Sequence, residues 1–123
     1  MVHVRAELQV FLRVGDARAL ERVLGRLREL CPLLLGEAVA ERYWKDSGLQ
    51  DVRLPMAVPQ GSLGDMVFEV LGAAWALGEP WSVSSLGEPG SPGWEFAAIA
   101  EHESSRFRVP GMEWAQVSLR GGT

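Results

Sequence analysis

The sequence predicts one α+β domain, on three observations: an opening segment that alternates apolar and polar residues, a later segment with apolar residues at spacings of three and four followed by a second, capped and almost uncharged helical segment, and several short β-prone runs punctuated by Gly, Pro, Ser and Asp. A chain of 123 residues can bury a core without metal or disulfide staples. Apolar residues make up 47% and charged residues 23%, which is globular usage and far from disordered composition. A single domain over residues 1–123 is expected.

The elements follow in order. In residues 2–14, Val2, Val4, Ala6, Leu8, Val10, Leu12 and Val14 share one face, while His3, Arg5, Glu7, Gln9 and Arg13 lie on the other, so a long half-buried strand is predicted. Gly15 breaks it and Asp16 is a suitable N-cap. Over residues 17–31, Leu20, Val23, Leu24, Leu27, Leu30 and Cys31 form one apolar stripe, and Pro32 stops the helix. Arg18, Arg22 and Arg26 line up on its opposite face. With Glu21 and Glu29 beside them, they read as a solvated face rather than a phosphate grip.

Residues 37–45 and 52–58 read as strands separated by the turn-prone Asp46, Ser47 and Gly48. Pro55 cannot donate to a ladder, which predicts an edge or bulged position for the second of them. Ser62 and Asp65 form an S-x-x-D capping pattern for a helix over 63–77, stopped by Gly78 and Pro80. Between Met66 and Leu77 only Glu69 is charged, so this helix is expected to be covered on more than one side, by its own protein or by a partner. Strands are predicted at 81–86, 94–101 and 113–119, with a Gly, Pro and Ser loop at 87–93. The order β-α-β-β-α-β-β-β gives two split βαβ units and extra strands. That predicts a ferredoxin-like βαββαβ two-layer sandwich with an added C-terminal β-hairpin.

The formal charge is −4, unevenly spread. Beyond residue 61, only Arg106, Arg108 and Arg120 face eight carboxylates, which makes nucleic acid an unfavourable partner and a basic protein a favourable one. One cysteine, Cys31, predicts a small core residue and a cytoplasmic protein. No leader pattern opens the sequence and no apolar run reaches the roughly 18 residues needed to span a bilayer, so no membrane association is expected.

Catalytic and cofactor motifs are missing from the pattern. His3, His102 and Cys31 have no paired metal-ligand spacing. No G-x-G-x-x-G, P-loop or G-x-S-x-G surrounds any glycine or serine. Glu101, His102 and Glu103 could suggest acid–base chemistry, but alternation sends the histidine away from both glutamates and the cluster ends a strand in solvent. The expectation is therefore a non-enzymatic binding protein with no cofactor and no metal. Five tryptophans, Trp44, Trp75, Trp81, Trp94 and Trp114, are either core fillers or interface anchors. Trp44 is the first choice for an exposed anchor, with Arg42 and Asp46 expected on its strand face.

The run from Glu37 to Asp46, the apolar helix around Trp75, then Trp94, Glu95, Phe96 and Glu113, Trp114, Ala115 resemble the layout of small bacterial immunity proteins of polymorphic toxin systems. The resemblance implies a compact cytoplasmic α+β inhibitor that blocks one toxin by direct contact. It transfers no binding residue. A basic toxin domain would suit Glu95, Glu101 and Glu103 by complementarity. The alternatives are a dimeric ferredoxin-like domain that holds a small molecule, or acts as a cofactor-free enzyme, in a pocket lined by Trp and Met, and a subunit of a larger assembly that uses the apolar helix.

Overall fold

The computed structural model describes residues 3–122, so Val2, the expected start of the first strand, lies outside the described residues. The elements are β1 (His3–Arg13), α1 (Ala17–Leu30), β2 (Val39–Arg42), β3 (Leu49–Met56), α2 (Leu63–Leu77), β4 (Gly78–Glu79), β5 (Ser82–Leu86), β6 (Glu95–Glu101), β7 (Arg106–Phe107) and β8 (Met112–Gly122). The chain is α+β. Six strands form one antiparallel sheet in the order β2-β3-β1-β8-β6-β5, and β4 pairs with β7 in a two-stranded sheet.

The alternation read in β1 fixes which sheet face is covered. Leu8 pairs with Leu54 and Val117, and Val10 with Val52 and Ala115, so one face carries a continuous apolar surface whose members are fully buried. Leu24 and Leu27 of α1, and Met66, Val70, Ala73, Ala74 and Leu77 of α2, complete this core. Burying one leucine side chain contributes roughly 1.5–3 kcal/mol, so the core holds both helices on one side of the sheet. Asp16 caps α1 by accepting from the Ala19 amide at 2.7 Å, and Ser62 caps α2 by accepting from the Asp65 amide at 3.1 Å. At the other end of α1, Arg28 donates to the carbonyls of Leu35 and Gly36 and pins the connection to β2. Cys31 is buried, and desolvation raises its thiol pKa.

The extra strands differ from an appended C-terminal hairpin. The place beside β1 belongs to the last strand, β8, while β5 and β6 are inserted before it and extend the sheet outward. The physical reason is apolar content. β8 matches β1 in length and buries Ala115, Val117 and Leu119, whereas β5 is a five-residue strand with three serines and is exposed throughout. The centre of the sheet goes to the strand with more to bury.

Three other expectations change. The strand predicted over 37–45 stops at Arg42, because residues 43–48 fold into turns closed by Asp46 N–H to Tyr43 O and Leu49 N–H to Asp46 O. β3 is an interior strand despite Pro55. Its pairing with β2 reaches only Arg53, and Pro55 lies beyond, where the Gly36 amide donates to its carbonyl. The β4–β7 pair, absent from the sequence reading, depends on Gly78: a Cβ there would sit 2.5 Å from the Arg106 carbonyl oxygen.

Helix α2 is covered on one side only. Phe68, Gly72 and Trp75 form a stripe facing outward, with Phe68 at 75% exposure.

Candidate functional site on the uncovered sheet face

With both helices on one face, the opposite face of a six-stranded sheet is left without a covering layer. It is built from the residues between the core positions: Glu7, Gln9, Phe11 and Arg13 of β1 and their cross-strand neighbours. One row across it reads Glu41, Asp51, Phe11, Trp114, Glu101, from β2 to β6. Aromatic rings occupy its middle and carboxylates its ends.

Phe11 is the hub. Its ring stacks on Trp114 at a centroid distance of 4.7 Å and meets Tyr43 at 4.6 Å. Pairs at these separations contribute about 0.5–1.5 kcal/mol beyond their buried area. Tyr43 in turn contacts Trp44 at 6.2 Å, and the Lys45 ammonium lies 5.0 Å from the Trp44 ring centroid. Trp44 itself is 83% exposed. Trp44 is thus held in a turn, beside a packed aromatic cluster and open to solvent.

Arg13 fixes the turn that carries it. The guanidinium bonds Asp46 at 2.8 Å and Glu113 on the other side. Glu113 is available because the register of β8 slips at Phe11 and Leu12, which leaves it as the extra residue of a bulge. The Arg13 bond, followed by the Gly48 amide at 2.9 Å, holds the Asp46 carboxyl below its ordinary pKa, and the same two carboxylates raise that of Arg13. Further ion pairs on this face join Arg53 to Glu7 at 3.8 Å and to Asp51 at 4.0 Å, and Arg120 to Glu95 at 3.4 Å.

The six residues expected to bind a partner are therefore divided. Trp44 and Glu101 flank the aromatic cluster from opposite sides, through Tyr43 and Trp114. Asp46 is clamped by Arg13 and positions the turn. Glu95 lies on the same face as Glu101, but six residues away along β6, about 20 Å at strand rise. Glu103 is exposed in the turn after β6, where Ser104 and Ser105 amides donate to Glu101 O, so strand alternation does not relate the two glutamates. Arg42 pairs with Gln50, and the shared strand face expected for Arg42, Trp44 and Asp46 does not form because the latter two are in the turns.

Phe11 and Tyr43 are the residues sequence reasoning missed, while for Trp114 the sequence leaves core and interface both open. The signal was present at Phe11, the one aromatic among the polar alternating positions of β1. Of the five tryptophans, Trp94 is buried in the core at 6% exposure, and Trp81 packs at its margin with its indole N–H donating to Gly78 O. Among the described residues, no three His, Cys, Asp or Glu side chains are grouped so as to hold a metal ion, and no helix is long and apolar enough to cross a membrane. Comparison with protein-family models, curated proteins and solved structures finds no match for this chain.

Proposed function

We propose that this chain is a non-enzymatic protein-binding module that docks a partner on its uncovered sheet face. The observation that carries the reading is Trp44, 83% exposed, on a turn clamped by Arg13 and backed by the Phe11, Tyr43 and Trp114 cluster. Aromatic anchors backed by a packed cluster are common in binding hot spots. The carboxylates that end the aromatic row, Glu41 and Glu101, favour a basic partner. A cytoplasmic immunity protein that blocks a basic toxin domain fits these features, and the β2-β3-β1-β8 part of the sheet, with both helices on one face, supports a ferredoxin-like frame for it.

The test is a titration calorimetry series with a basic toxin domain, taken from the neighbouring gene if that gene encodes one. Trp44→Ala is expected to weaken binding at least tenfold, and Glu101→Gln to reduce its salt dependence. Wild-type affinity for a Trp44→Ala, Trp114→Ala double variant that remains folded would reject the reading.

A second reading, a small-molecule-binding domain, is favoured by one feature. A hollow of about 510 Å³ lies between the sheet end and the start of α2, with Leu63, Met66 and Trp94 in its wall. The outward stripe of α2 would support self-association, and a monomeric mass in solution at high concentration would count against it.

A further inference from the structure

The register of β1 with β8 places Arg5 directly opposite Arg120 on the uncovered face. Directly opposed side chains have Cβ atoms about 4.5–5.5 Å apart, and like charges in that arrangement repel. Only one carboxylate answers them: Glu95 pairs with Arg120 at 3.4 Å, and Arg5 has no acidic partner among the described residues. Glu7, the nearest acid along β1, also lies in the cleft wall, where Arg53 pairs with it at 3.8 Å.

The two arginines line a cleft of about 890 Å³, within the roughly 300–1,000 Å³ of small-molecule sites. It opens where β3 ends at Met56 and the chain departs from β1, whose residues before Ala6 have no β3 partner. Ser118, next to Glu7 and Ala97 in the same face, is 4% exposed and lines the cleft. Gln60 spans the far side, its amide at long range from the Val4 and Val58 carbonyls, both 3.4 Å away. Pro55 and Met56 supply an apolar wall.

We propose that this cleft binds a small amphipathic anion, a carboxylate or phosphate ester on an apolar body. The anionic head lies between Arg5 and Arg120 and accepts from the Ser118 hydroxyl, while the body lies along Pro55 and Met56. Arginine presents a planar fork matched to both head groups, and an anion between two opposed guanidiniums removes their repulsion. The site is separate from the Trp44 surface, so it stands or falls independently of the protein-partner reading.

Amide NMR titration of the whole chain with octanoate, octyl phosphate, acetate and octyltrimethylammonium tests it. Saturable shifts at Arg5, Ser118 and Arg120 are expected with octanoate or octyl phosphate, and the tighter of the two identifies the head group. Acetate should bind at least tenfold more weakly, and the ammonium probe not at all. Arg5→Gln and Arg120→Gln should each weaken binding about tenfold and Ser118→Ala about threefold, with Arg5→Lys retaining part of it. Trp44→Ala should change nothing. The proposal is overturned by linear, non-saturating shifts with both octyl anions, by wild-type affinity in an Arg5→Gln, Arg120→Gln double variant, or by equal binding of the cationic probe.

Discussion

At the scale of single residues, burial and pairing decide what each side chain does. Leu8 and Leu54 face each other at the centre of the sheet with no solvent exposure. Leu8→Ala should cost roughly 2–5 kcal/mol in urea unfolding, the range for cavities in cores that relax only partly. Asp46 shows the opposite kind of contribution, from a charge. Its folded pKa is lowered, so the stability it provides is present above the ordinary carboxylate range and is lost as pH falls through the folded value. Asp46→Asn is therefore expected to lower the urea midpoint at pH 7 and leave it unchanged at pH 2. An equal loss at both pH values would mean that the carboxylate acts only through its hydrogen bonds in the turn. The buried Cys31 thiol, held neutral by desolvation, should react with iodoacetamide at pH 8 at least tenfold more slowly than in the urea-unfolded chain.

At the scale of elements, glycines separate local from tertiary demands. Gly72 sits in the middle of α2 with nothing near the position of a Cβ, so Gly72→Ala should stabilise by about 0.5–1 kcal/mol through lost chain entropy. Gly78 is the reverse, since its Cβ would meet the backbone of β7. Gly78→Ala should destabilise by about 1–3 kcal/mol, the usual cost of overpacking. Thermal unfolding of the two variants, with opposite signs, checks both. The ends of α2 were readable in advance because Ser62 and Gly78 are punctuation that acts over one turn. The strand over 37–45 was overextended for the converse reason. Nothing in Tyr43, Trp44 and Lys45 opposes a strand, and the turn there is closed by backbone bonds among Tyr43, Asp46 and Leu49, with Arg13, far away in sequence, pairing with Asp46.

At the scale of the whole molecule, the arrangement of layers creates both candidate sites. Two helices cover one face of a sheet six strands wide, and the other face is left to aromatic stacking and ion pairs. Had the helices packed on opposite faces, Phe11 and Trp114 would be interior residues with no role at a surface. A Phe11→Ala variant should lose cluster packing and loosen the Trp44 turn, read as faster amide exchange at residues 43–48. Unchanged exchange there would show that Arg13 alone holds the turn.

The sequence by itself determined the class of the protein and nearly all of its elements. Period-two alternation in β1, the period-3.6 stripe of α1, the nearly uncharged run of α2, and Asp16, Ser62 and Gly78 at the helix ends are local signals that need no knowledge of neighbours. It also singled out Trp44 as the tryptophan most suited to an anchor, and this proved to be the most exposed of the five. Tertiary structure alone decided that β8, not the strand after α2, lies beside β1, and with it the meeting of Phe11 with Trp114, of Arg13 with Glu113, and of Arg5 with Arg120. Each of these pairs joins residues about a hundred positions apart, and the pairing depends on which strand buries most apolar surface at the sheet centre. That is a competition among strands, settled only when all of them are present.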